Sequence, residues 1–376
     1  MLLPRWAIVF LAATGALAAC ASESLPTAAA AMQADYISTT PTRPVAISPF
    51  VLARLPTYDR SMQAVHPDVI RFEQPWNGWE YWMAFTPFPG GQTSFENPSI
   101  AVSHNGTNWY VPAGLTNPLV PAPSSGYNSD PDLSFDQGRG ELVLIYRTVT
   151  AGYDNVSEMR SRDGTTWGRP SILFRRKNPK MVSPAIVMTS AGVAQAWYVD
   201  AGTTSCRSRV VRVMTQVAAS ANTMRLPGLE RGWSAARQVA LVQPGYSIWH
   251  IDVQWIAERN EYWAVYSAYA GSNCTTQELF FARSANGLAW QTYPIPVISH
   301  GDLPWTAGTM YRASALYDAA RDVIQFYTSS RSRGQEWRIG VVEYRLSTFL
   351  TALSIGAPSS ASLTGPGQGL VTDIEP

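Results

Sequence analysis

Charge is scarce in this 376-residue chain: Asp, Glu, Lys and Arg together make up 15% of it, and the formal net charge is +1. So even a balance gives no basic surface for nucleic acid and no electrostatic attraction to an anionic membrane. Cysteine is nearly missing, with three residues, and no His-Cys cluster accompanies Cys206 or Cys274. That argues against a thiolate nucleophile and against a cysteine-based metal centre. Long amphipathic helical patterns are also missing, which removes the helical architectures. The apolar run from Trp6 to Ala19 covers 14 residues, short of the roughly 20 a membrane-spanning helix requires.

Aromatic and turn-forming residues are abundant instead. There are 14 Trp, 17 Tyr, 27 Gly and 27 Pro, the composition of an all-β domain with many short strands and enough length to bury a core. The first 20 residues, "MLLPRWAIVFLAATGALAAC", place one Arg before the apolar run and small residues after it, the pattern of a secretory signal. "LAAC" (17–20) resembles a bacterial lipobox, which implies lipidation of Cys20 and, with Ala21 after it, anchoring at the outer membrane or cell surface. Residues 21–45, rich in Ala, Ser, Thr and Pro, read as a flexible tether. In an exported chain Cys206 and Cys274 most simply form one disulfide.

Five segments share a start: "HPDV" (66–69), "DPDL" (130–133), "SPAI" (183–186), "HIDV" (250–253) and "YRAS" (311–314). Their third positions, Asp68, Asp132, Ala185, Asp252 and Ala313, are spaced by 64, 53, 67 and 61 residues, and a β-rich segment follows each. Four copies carry an aromatic fourteen residues after the third position: Trp82, Tyr146, Tyr266 and Tyr327. A Ser-x-(Asn/Asp)-Gly-x-x-Trp turn follows in three copies, at 103–109, 161–167 and 284–290. Repeats of about sixty residues with several strands each are propeller blades. The expected architecture is a five-bladed β-propeller with four-stranded antiparallel blades over residues 46–350. Residues 45–60 donate a strand to the last blade, and 351–376 form a C-terminal tail.

The repeated turn resembles the Asp-box of sialidases, which lies far from the axis on the face opposite the mouth. Its Asn or Asp accepts backbone N–H bonds, Gly supplies a positive φ and Trp packs between blades, so it marks blade register and needs no substrate. A sialidase also needs an arginine cluster, and the blade starts offer Arg312 alone.

The blade starts are the mouth-lining positions. Asp68, Asp132 and Asp252 recur at one place, with His66, Asp130 and His250 two residues earlier on the same strand face by period-two alternation. Glu96 and Asn97 come from the first long loop, and Trp79, Trp249 and Trp305 are the candidate sugar platforms. Paired carboxyl groups can act as acid and as base or nucleophile. The pattern "HPDV…ENPSI…DPDL" resembles five-bladed glycoside hydrolases of the arabinanase, xylosidase and invertase superfamily. The resemblance implies that Asp68 is the base or nucleophile and that Asp132 holds substrate and tunes the acid. The blade-three acid of that family is missing, because this copy has Ser183 and Ala185. Either Glu96, Asp252 or His250 supplies the proton, or the site binds sugar without cleaving it.

Each residue also has a purely structural reading. The aspartates can cap amides of neighbouring blades. His66 and His250 can bond across the channel or hold a water or an ion there. Arg312 can pair with an axial carboxylate. The expected ligand is a poly- or oligosaccharide bound by a monomer, with His66, Asn97, Asp130, Ser183, Trp249, His250 and Arg312 contacting it. No metal or cofactor is expected, apart from an ion in the central channel.

Overall fold

The computed structural model describes residues 42–176, 181–188, 194–202, 212–218, 232–271, 275–302, 305–306 and 308–353. Cys20, the signal, most of the tether, Cys206, Cys274 and residues 354–376 lie outside that set, as does the expected disulfide. Five antiparallel sheets follow one another along the chain. Blade one holds β2 (Ala64–Trp76), β3 (Trp79–Pro87) and β4 (Ser99–Ser103); blade two holds β5 (Tyr127–Asp136), β6 (Glu141–Thr150), β7 (Tyr153–Ser161) and β8 (Ser171–Arg176). Blade three is β9 (Met181–Met188), β10 (Ala194–Asp200), β11 (Arg212–Ala218) and β12 (Arg237–Gln238). Blade four is β13 (Tyr246–Ile256), β14 (Glu261–Ala270), β15 (Gln277–Ser284) and β16 (Gln291–Thr292). Blade five is β17 (Thr309–Asp318), β18 (Val323–Arg331) and β19 (Trp337–Arg345), completed by β1 (Val51–Leu52) from the start of the chain.

The innermost strands β2, β5, β9, β13 and β17 each lie against their neighbours, closing a ring. In blade one the outer strand is reduced to a single bridge between Val102 and Tyr110. The chain runs on from Tyr110 into "VPAGLTNP", whose two prolines cannot donate ladder bonds. After β19 the helix α1 (Leu346–Leu353) buries Leu346, Phe349 and Leu353 against the core between blades four and five. That helix occupies the start of the segment expected to be tail.

The three repeated turns share one hydrogen-bond pattern. Ser103, Ser161 and Ser284 accept the amides of Gly106, Gly164 and Gly287 at 3.0, 2.8 and 2.8 Å. Asn105, Asp163 and Asn286 accept the next amides, and each Trp indole returns a bond of 3.1 Å to the glycine carbonyl. The glycines have φ of +73°, +75° and +71°, and a Cβ on each would collide with an aromatic of the preceding blade. Gly164 meets Trp82, Gly106 meets Tyr327 and Gly287 meets Trp197. Trp82 and Tyr327, two of the four aromatics that recur after the blade starts, are thus the sockets for the next blade's turn. Blade three uses Trp197, two residues nearer its start, and that indole donates 2.8 Å to the Gly287 carbonyl.

Gly164→Ala therefore adds a methyl inside the Trp82 ring at a left-handed backbone position. We expect a loss of about 2 kcal/mol or more, measured as a fall of several degrees in Tm. Gly152→Ala, where a Cβ would meet nothing within 4 Å, should cost only the backbone strain, about 1 kcal/mol.

Candidate functional site

Each innermost strand is kinked where it passes the axis. The β2–β3 register slips between Val65 and Asp68, β5–β6 between Ser129 and Asp132, β13–β14 between Ile248 and His250, and β17–β18 between Met310 and Ala313. The blade-three slip falls between Val182 and Ala185. His66, Asp130 and Ser183 sit in these bulges with φ of 56°, 49° and 48°, a left-handed conformation that costs non-glycine residues energy and collects at functional sites. A proline follows each of the three. In blades one and two the bulge, rather than period-two alternation, brings both this position and the aspartate two residues later to the axis, whereas in blade four His250 and Asp252 follow the bulge in regular alternation.

The first positions of the five repeated starts form a ring: His66, Asp130, Ser183, His250 and Tyr311. The Asp130 carboxylate is its hub. Arg147 Nη1 donates to Asp130 Oδ2 at 2.8 Å and the Ser183 amide donates at 3.2 Å. His66 Nε2 and His250 Nδ1 each lie 3.3 Å from Asp130 Oδ1, and Ser183 Oγ is 2.7 Å from His250 Nδ1. His66 Nδ1 meets Thr86 Oγ1 at 3.0 Å. The Tyr311 ring packs 4.1 Å from His250 and 5.2 Å from His66.

Burial holds both imidazoles below their ordinary pKa, His66 well below, so both are neutral near pH 7. Burial also penalises the Asp130 carboxylate, yet its contacts with His66, Arg147 and His250 outweigh that and hold it well below the usual range. Because the imidazoles are neutral, Arg147 is the cation that keeps Asp130 ionised. Glu96 stands beside this ring, bonded to Ser129, its pKa raised by burial and then by the Asp130 charge while Arg147 opposes.

One atom set here fits a divalent cation. His66, Asp130 and His250 offer ligand atoms within 4.8 Å of one another. The imidazole Nε2 atoms of both histidines are buried and make no hydrogen bond, although a buried polar atom ordinarily has a partner. Two neutral imidazoles and an ionised carboxylate suit zinc, manganese or iron. Asp68, Asp132 and Asp252 form a second cluster of that size, but there a guanidinium already supplies the positive charge: Arg312 Nη2 is 3.5 Å from Asp68 and 3.3 Å from Asp132.

This lower layer stitches blades together. Asp68 accepts the Leu133 amide at 3.0 Å, Asp132 accepts the Ile186 amide at 3.1 Å, and Asp252 accepts the Ala315 amide. Ser314 closes the blade-five seam by accepting the Val69 amide at 3.2 Å. Arg312, fully buried, also donates 2.6 Å to the Pro131 carbonyl. Three carboxyl groups share this one guanidinium. Burial and then the charge of Asp132 push Asp68 well above its ordinary value. Asp132 is pushed up to about 7 by burial, with Arg312 opposing, and Asp252 to about 8 by burial and the charge of Asp68.

The other expected site residues are spread over both faces. Asn97 is buried, donating 2.9 Å to the Tyr58 hydroxyl and accepting 2.9 Å from Asn128. Trp249 is half-buried with its ring 6.0 Å from His250, and Trp305 is half-buried. Trp79 is not at the mouth: it opens β3 at the opposite end of the blade, stacked 4.3 Å from His104 beside the first repeated turn. Tyr311, Arg147, Thr86 and Tyr127 are the members that the sequence reading missed. Tyr311 was accessible to it, since it stands two residues before Ala313 in the same frame as His66 and His250.

No family model matches the chain. A curated relative, the A type blood N-acetyl-alpha-D-galactosamine deacetylase of Flavonifractor plautii, is 28% identical over 302 residues, covering 68% of this chain and 38% of that protein. The chain thus spans well under half the length of that relative. Among solved structures, an N-acetylgalactosamine deacetylase from F. plautii in complex with blood group B trisaccharide superposes with a TM-score of 0.73 at 21% identity, covering 83% of this chain and 97% of the other. A thermostable family-43 glycoside hydrolase gives 0.52 at 14% identity, covering 75% and 89%. The catalytic domain of the Coprinopsis cinerea GH62 alpha-L-arabinofuranosidase gives 0.53 at 12% identity, covering 81% and 97%. These likenesses show the fold: the resemblance to five-bladed glycoside-hydrolase propellers holds for the architecture.

The lower layer makes a pH-dependent contribution to stability. Its carboxyl groups bind protons more tightly in the folded chain than in the unfolded one, where they titrate near 4. The contribution is complete below about pH 4 and is lost as pH rises through about 7 and 8, the folded values of Asp132 and Asp252. Tm should fall between pH 5 and pH 9, and Asp252→Asn, which cannot ionise, should flatten that fall in a thermal-melt series.

Proposed function

We propose that this propeller is a carbohydrate-processing hydrolase whose reaction centre is the upper ring with Glu96, and that it removes an acyl group from an amino sugar. The observation that carries the reading is the set of convergent donor atoms on His66, Asp130 and His250 beside the buried Glu96 carboxyl. The N-acetylgalactosamine deacetylases among its relatives support it. A glycosidase needs two carboxyl groups about 5–10 Å apart that are free to meet the substrate, whereas Asp68 and Asp132 are engaged with Arg312, and Asp68, Asp132 and Asp252 all accept amides of the next blade.

His66, Asp130 and His250 would hold a divalent cation, which when bound would polarise an acyl carbonyl and lower the pKa of a water. Arg147 and the Ser183 amide fix the Asp130 carboxylate from the side away from the imidazole pair. Glu96, its pKa raised by burial and the Asp130 charge, takes a proton from the attacking water and returns it to the amine that leaves. Water oxygen forms the new bond to the acyl carbon, the carbon–nitrogen bond breaks, and the acid and the free amino sugar are the products. Trp249 and Tyr311, half-buried at the mouth, offer ring faces to the sugar.

A second reading, cleavage of a glycosidic bond, is favoured by one observation: Asp132 and Asp252, pushed up to about 7 and about 8, titrate where a general acid must. The two reactions leave different products. Incubated with N-acetylhexosamine-containing oligosaccharides, the native chain should release acetate and no new reducing ends. Glu96→Gln should lower kcat about a hundredfold or more with Tm unchanged, and His250→Ala should abolish binding of Mn²⁺ or Zn²⁺ measured by calorimetry. New reducing ends lost in Asp132→Asn would establish the glycosidase instead. Glycan binding with neither product would make the protein a lectin-like scaffold.

The signal pattern ending in "LAAC" supports export with a lipid anchor on Cys20 at the cell surface. Cys20→Ala should move the protein from the membrane to the soluble fraction, as judged by immunoblot.

A further inference from the structure

We infer that Arg331 is a specificity-determining residue that binds an acidic group, a carboxylate or a sulfate ester, on the glycan held at the upper ring. The inference rests on the proposal that a glycan binds there. Arg331 is the last residue of β18, paired in register with Trp337. Its guanidinium carbon lies 5.6 Å over the Trp337 ring, and Trp337 packs 5.2 Å from Tyr311, which in turn packs 4.1 Å from His250. Because β18 is the strand next to the innermost one, Arg331 stands about 5 Å further out than Tyr311. That offset suits the sugar adjoining the one at the axis.

Arg331 is half-buried, its Nε is fully buried with no hydrogen-bond partner, and its side chain makes no hydrogen bond or ion pair among the described residues. The arginines near it are engaged: Arg338 with Glu336 at 3.4 Å and Arg312 with Asp132 at 3.3 Å. Gly308 gives it room, since a Cβ there would stand 3.3 Å from Arg331 Nε. Exposed Arg333 adds a second cation on this side of the mouth. A guanidinium already stacked and partly stripped of water forms strong charge-assisted bonds to an oxyanion at little further ordering cost. Neutral hydroxyls gain much less.

Calorimetric titration of the native chain with three N-acetylgalactosamine disaccharides tests this: one containing glucuronate, one 6-O-sulfated and one neutral. At low ionic strength at least one acidic probe should bind about tenfold or more tightly than the neutral one, with the margin shrinking as salt is raised. Which acidic probe binds tells a uronate from a sulfate site. Arg331→Gln should bring the ratio close to one, and Arg331→Lys should keep part of it. Equal affinity for acidic and neutral probes, no binding of either acidic probe, or a ratio unchanged in Arg331→Gln would each overturn the assignment. Because the readout is affinity, a preference without acetate release would count against the proposed reaction alone.

Discussion

The constraint on which this molecule depends is the unpaired inner edge of its innermost strands. A propeller blade pairs each strand with its neighbour except at the axis, where one row of backbone amides and carbonyls faces other blades and is closed to solvent. Buried amides must be satisfied. Here polar side chains from the preceding blade do it: Asp68 for Leu133, Asp130 for Ser183, Asp132 for Ile186, Asp252 for Ala315, and Ser314 for Val69. Where blade three offers Ala185 in place of an aspartate, Ser183 reaches His250 instead. The seam is polar all the way round.

A polar axis is what makes chemistry available. Once carboxylates have been placed on the axis to hold blades together, Arg312 must balance them, and its position decides which layer is free. It lies in the lower layer, against Asp68 and Asp132. The upper layer has Arg147 on the outer side of Asp130 only, which leaves the imidazole side open. Two neutral histidines with orphaned nitrogens in so costly a place are poor scaffolding and good ligands. The same electrostatics that spend the lower aspartates on structure thus prepare the upper ring for a reaction.

Much of this was legible in the chain. The sixty-residue period, the fixed aromatic and the glycine turns describe a five-bladed ring, because each follows from a packing contact that repeats once per blade. Even the aromatic's purpose is local chemistry, a ring that only a glycine can overlie, as with Trp82 and Gly164. The site was half legible. His66, Asp130 and His250 stood out by position but read as substrate contacts, and the chemistry fell to Asp68 and its counterparts with Glu96, since a sequence does not tell a carboxylate that bonds amides from one that faces substrate. Arg147 was invisible for another reason: it comes from the second strand of blade two, and only the fold brings it 2.8 Å from Asp130. Trp79 shows the converse error, a tryptophan near the right residues in sequence but at the wrong end of its blade.

The closing strand has a consequence for how the molecule comes into being. Val51 pairs with Val341, and the Thr42 amide with the Ala352 carbonyl. A chain made from its amino end holds the outer strand of blade five from the outset and waits for nearly all the rest before that strand finds its partner. Until then the first and the last blade built each have a neighbour on one side only, and the axial seam, which needs all five blades at once, cannot be complete. The proposed reaction centre, set into that seam, therefore takes its final form only when the two ends of the chain meet.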